Sequence, residues 1–91
     1  MAEINIVEMD SNAFKVVVVA QSTTTHIVTV QADYAQKLTT GKASSVELIE
    51  QAFKFLLARE SNTSILPSFD LSVIARYFHE FEREISASDF S

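Results

Sequence analysis

The stretch Thr23-Thr24-Thr25-His26-Ile27-Val28-Thr29-Val30-Gln31, followed by Ala32-Asp33-Tyr34, is where the chain changes its period. Up to Gln31 the residues are rich in β-branched side chains. His26, Val28 and Val30 share one face of an extended strand, and Thr25, Ile27, Thr29 and Gln31 share the other. From Ala32 onward the apolar residues recur at helical spacing instead. A chain that reads as strand before this point and as helix after it belongs to the α+β class.

Upstream, Ile4 to Met9 and Phe14 to Gln21 are β-rich runs joined by Asp10-Ser11-Asn12-Ala13, polar residues that favour turns by bonding their own backbone. A hairpin is expected. Val16-Val17-Val18-Val19 is apolar on both faces, so Val17 and Val19 point to a central strand or a dimer contact. Downstream, Asp33 starts a short helix carrying Tyr34 and Leu38, and Gly41 supplies the left-handed residue that ends it. Ser44-Ser45-Val46-Glu47 matches a capping box, in which serine and glutamate side chains satisfy each other's free backbone donors. In the helix that follows, Leu48, Ile49, Ala52, Phe53, Phe55, Leu56 and Leu57 cover more than half the circumference, a stripe wide enough for two neighbours. Leu48 and Phe55 lie at one edge of it and make that edge a candidate dimer face or partner groove.

Ser61-Asn62-Thr63-Ser64 and Pro67 stop that helix. Asp70, or Ser68, then caps a third one with Leu71, Ile74, Phe78, Phe81 and Ile85 on its apolar face, and residues 86–91 read as a frayed end. The expectation is a single domain over residues 1–91, βββααα. It comprises a three-stranded, mainly antiparallel sheet (about 3–9, 14–21 and 23–31) followed by three helices (about 33–40, 44–60 and 70–84).

Composition excludes whole classes of chemistry. The chain has 91 residues, 47% of them apolar, with one glycine, one proline and no cysteine. Without cysteine there is no disulfide frame, thiolate zinc site or cysteine nucleophile. With one glycine, no phosphate-cradling loop or G-x-S-x-G elbow can be written. His26 and His79 stand outside any metal-ligand spacing, and would bind a metal only if the fold brought them to carboxylates such as Glu80 or Glu82. Glu80 and Glu84 read as a surface pair. No catalytic, cofactor-binding or metal-ligating residue is therefore assigned, and no enzyme is expected. The longest apolar run, Val16 to Ala20, falls far short of the roughly 18 residues of a membrane span, and no basic leader precedes an apolar run. The reading is a cytoplasmic protein with no membrane partner.

The formal charge is −5, made of −2 over residues 1–32, zero over 33–60 and −3 over 61–91. This acidity disfavours DNA as a partner and leaves only the middle of the chain neutral towards phosphate.

Thr25-His26-Ile27-Val28-Thr29-Val30, Tyr34, Leu38, Gly41, Ser44-Ser45 and the helix Val46-Glu47-Leu48-Ile49-Glu50-Gln51-Ala52-Phe53 together resemble the ribbon-helix-helix family of bacterial repressors and antitoxins. The resemblance implies that the strand pairs with its twin in an obligate dimer and reads the major groove of DNA. It also implies that the second helix's N-terminus holds a phosphate. Thr25, Thr29 and Gln31, or alternatively His26, would then be readers, and Lys42, Ser44 and Ser45 the phosphate clamp. The strand has no Arg or Lys between Gln21 and Gln31. Separately, Phe55-Leu56-Leu57-Ala58-Arg59-Glu60, Asn62-Thr63-Ser64-Ile65-Leu66, Ser68-Phe69-Asp70-Leu71 and Arg76-Tyr77-Phe78 are similar to a group of short bacterial proteins without an assigned activity. The functional expectation is a small bacterial, non-enzymatic protein acting by homodimerisation or by association with a protein partner. A DNA-binding regulator or antitoxin is the alternative.

Overall fold

A computed structural model of the chain describes residues 2–87. Of the end expected to fray, the part beyond Ala87 lies outside those residues. Strands β1 (Glu3–Glu8), β2 (Ala13–Val19) and β3 (Thr23–Thr29) run antiparallel in sequence order. Asp10 sets the first turn, its Oδ1 accepting from the backbone N–H groups of Asn12 and Ala13, each at 3.0 Å. A short β4 (Ser68–Asp70) joins the other edge of β3 in parallel, giving a mixed four-stranded sheet in the order β1-β2-β3-β4. The three-stranded expectation is corrected by this strand. Ser68-Phe69-Asp70 is too short to show alternation, and its partners Ile27, Val28 and Thr29 are remote in sequence.

Helix α1 (Ala32–Thr39) ends on two successive left-handed residues, Thr40 at φ 52° and Gly41 at φ 74°. Helix α2 (Ser45–Leu57) begins with the capping box: Ser44 Oγ accepts from the Glu47 N–H at 3.2 Å, and Glu47 Oε1 accepts from the Ser44 N–H at 3.0 Å. The inner face of the sheet presents Phe14, Val16, Val18, His26 and Val28, all buried, with Ile4 and Ile6 half-buried beside them. Leu48, Ile49, Ala52 and Phe53 complete the core from α2 and are wholly excluded from solvent. No helix among the described residues is long and apolar enough to cross a membrane.

The single helix expected over 70–84 is a 3-10 turn (Leu71–Val73), a one-turn α3 (Ile74–Tyr77) and α4 (Phe81–Ser86), with Phe78 extended at φ −129° and ψ 96°. Asp70 does cap the first piece, accepting from the Ser72 N–H. No glycine or proline marks the break, so tertiary packing causes it. Leu71 and Ile74 are buried at one end, while Phe81 and Ile85 are buried where α4 meets α1 and α2. Burying both pairs outweighs helix continuity. The second neighbour required by the wide α2 stripe is thus the chain's own C-terminal segment. Phe78 and Phe81 stack edge-on against Phe55 with centroids 5.7 and 5.2 Å away.

Candidate functional site

With helices on one side only, the outer face of the sheet stays open. Side-chain alternation places Glu3, Asn5 and Val7 of β1, Lys15, Val17 and Val19 of β2, and Thr25, Ile27 and Thr29 of β3 on that face. The strand register sets Val7, Lys15 and Ile27 in one row and Asn5, Val17 and Thr25 in the next. Val7 is 56% exposed and Val19 37%, and Val17 and Ile27 are half-buried. The expected contact residues Val17 and Val19 therefore lie together on an open surface, joined by Val7 and Ile27, which sequence reasoning did not select. The other two do not. Leu48 is fully buried and Phe55 is 7% exposed beneath Phe78, Phe81 and the Arg59 guanidinium, which corrects the expectation that this edge of α2 is free.

Among the residues implied by the ribbon-helix-helix resemblance, Thr25 and Thr29 project from the outer face, and Gln31 is exposed at the start of α1. His26 points inward and is 2% exposed. Strand β3 pairs with β2 along its length and with β4 at Ile27, Val28 and Thr29. Lys42, Ser44 and Ser45 sit at the start of α2, where Glu47 Oε1 accepts from the Ser44 N–H in the capping box.

Three polar clusters tie the elements around these surfaces. Asn62 Nδ2 donates to the Ser22 carbonyl and to Thr24 Oγ1, each at 2.9 Å. Thr24 Oγ1 is 2.9 Å from His26 Nε2, and His26 Nδ1 is 2.7 Å from the Leu66 carbonyl. A carbonyl only accepts, so Nδ1 carries the proton and donates to Leu66. This relay fastens the loop after α2 to β3.

Asp70 receives the Thr29 hydroxyl at 2.7 Å and the Ser72 hydroxyl at 2.6 Å. Burial alone would raise its pKa, but the bonds from Ser72, Thr29 and Gln31 outweigh burial and hold it below its ordinary value. The third cluster joins α4 to α1 and α2. Tyr34 donates to Glu82 at 2.8 Å while Lys37 lies 3.7 Å from the same carboxylate. Burial, then the Glu82 bond and charge, then Asp70, push the Tyr34 hydroxyl well above its usual value. Arg59 stacks 3.6 Å over the Phe55 ring and pairs with Glu84 at 3.1 Å and Glu80 at 3.5 Å.

A second surface feature escaped the sequence. A groove of about 370 Å³ opens between the end of α2, the loop before β4 and α3. Its only sequence signal was Tyr77, an aromatic off the Leu71-Ile74-Phe78 stripe, and the structure leaves it 70% exposed. No family model, curated protein or solved structure matches the chain.

Proposed function

We propose that this protein acts by association, as a homodimer whose protomers meet through the outer face of the sheet. The observation that carries this reading is that exposed Val7 and Val19 and half-buried Val17 and Ile27 share one face of a sheet with no helix over it. Antiparallel sheets tolerate one wet face when that face is polar, whereas this one sets Val7, Val17, Val19 and Ile27 among its charged, amide and threonine side chains. Removing such side chains from water stabilises a complex by about 25 cal/mol per Å² of apolar area, before the costs of association are subtracted. A second copy is a fitting cover. In a two-fold interface each contact occurs twice, and Glu3 and Lys15 on this same face carry opposite charges that a symmetric partner pairs reciprocally. The test is the mass in solution. Sedimentation equilibrium at micromolar concentration is expected to give two chains for the parent protein and one chain for Val17→Lys, whose ammonium would be desolvated in the middle of the interface. A parent mass of one chain overturns the proposal.

A further inference from the structure

We propose that the groove between α2 and α3 binds a small organic cation, an ammonium group on an apolar body. This site is on the helical side of the molecule and is independent of dimerisation through the sheet. Its volume, about 370 Å³, falls within the range of small-molecule sites. The buried Leu56, Ile65 and Ile74 form its floor, while Leu66, 45% exposed, and Tyr77, 70% exposed, stand at its mouth. An apolar body is what such a floor accepts.

The charge of the ligand follows from Glu60. Its half-buried side chain lines the groove and makes no hydrogen bond or ion pair among the described residues. The neighbouring acids differ: Glu80 and Glu84 are paired by Arg59, and Glu82 by Lys37 and Tyr34. Arg59, one residue away, is thereby committed to α4 and to the Phe55 ring. An anion in the groove would meet the Glu60 carboxylate, and a neutral apolar molecule would strip water from it without compensation. A cation neutralises it, and Phe69, Tyr77 and Phe78, which also line the groove, bring aromatic rings of the kind ammonium groups favour.

The probe is benzyltrimethylammonium, titrated into the full chain and followed by amide NMR shifts, with phenylacetate as the anionic counterpart. Saturable binding with a dissociation constant in about the millimolar range or tighter is expected, with shifts centred on Glu60, Ser64 and Tyr77. Phenylacetate should bind at least about tenfold more weakly. Glu60→Gln should weaken the cation about five- to tenfold, and Ser64→Trp, which puts an indole into the groove from an exposed position, should abolish binding while circular dichroism confirms folding. Absence of saturation, equal affinity for phenylacetate, shifts mapping elsewhere, or unchanged binding by both folded variants overturns the proposal. The oligomeric mass reports on the sheet face separately, so either reading can fail alone.

Discussion

His26 connects three elements at once: its strand, the Leu66 carbonyl in the loop before β4, and the Phe53 ring of α2 at a centroid distance of 5.5 Å. Replacing it by alanine leaves a cavity under Phe53 and removes the partner of the part-buried Leu66 carbonyl, while the Thr24 hydroxyl keeps its bond from Asn62. His26→Ala should therefore cost about 2–4 kcal/mol in chemical denaturation, the sum of a partly collapsed cavity and an unsatisfied part-buried carbonyl. A loss under about 1 kcal/mol would show that the loop is held by something else. Backbone conformation gives an independent test at Thr40 and Gly41. Threonine is β-branched and disfavoured at φ 52°, so Thr40→Gly should raise stability by up to about 1 kcal/mol, even though it forfeits the Thr40 hydroxyl bond to the Thr39 carbonyl. Gly41→Ala should lose about 1 kcal/mol. A Cβ there would sit 2.8 Å from Gln36 Nε2, but that flexible amide can move, so the cost lies in the positive φ of 74°. Opposite signs at adjacent positions, read by the same denaturant titration, are the expected outcome.

At the scale of elements, what could be read from the sequence was whatever local chemistry decides. Strands β1 to β3, α1 with its glycine stop and α2 with its capping box fall where alternation, turn residues and caps place them. Strand β4 and the break at Phe78 did not announce themselves. The first exists through pairing with a strand about forty positions earlier, the second because Leu71 and Phe81 bury in different places. The candidate surfaces divide in the same way. Val17 and Val19 were visible as a run apolar on both faces, whereas Val7 and Ile27 join them only through the register, and the groove arises from the β4 loop and the broken helix. Asp70 sits at that non-local junction and makes it titratable. Its folded-state pKa lies below the unfolded value of about 3.9, so its contribution to stability is present above that pH and is lost as pH falls through the folded value. Asp70→Asn should flatten this acid limb, since the amide does not titrate. An unchanged slope of stability against pH below about pH 4 would mean that Thr29 and Ser72 do not hold the carboxylate in solution.

For the whole molecule, the proposed dimer makes heat stability depend on concentration. When a folded dimer melts to two unfolded chains, mass action favours the dimer as protein is added, and the midpoint temperature rises with the logarithm of concentration. At about 0.7 kcal/mol of unfolding enthalpy per residue, two chains of 91 residues absorb roughly 130 kcal/mol near 60 °C. The van't Hoff relation then gives a rise of about 4 °C for each tenfold increase in concentration. A chain that folds and melts alone gives no rise. The comparison with Val17→Lys separates association from any general effect of concentration. The lysine replaces a half-buried residue of the open face and leaves the inner-face core of Val16, Val18, Val28 and Phe53 in place. The variant should therefore still melt cooperatively but with a midpoint independent of concentration, and at high concentration it should melt below the parent. Scanning calorimetry over two decades of concentration reads both slopes. A flat parent would exclude a dimer whose dissociation is coupled to unfolding in that range. Equal, non-zero slopes in parent and variant would place the contact elsewhere, with the exposed edge of β1 the first surface to test, because its backbone groups have a partner strand on one side only.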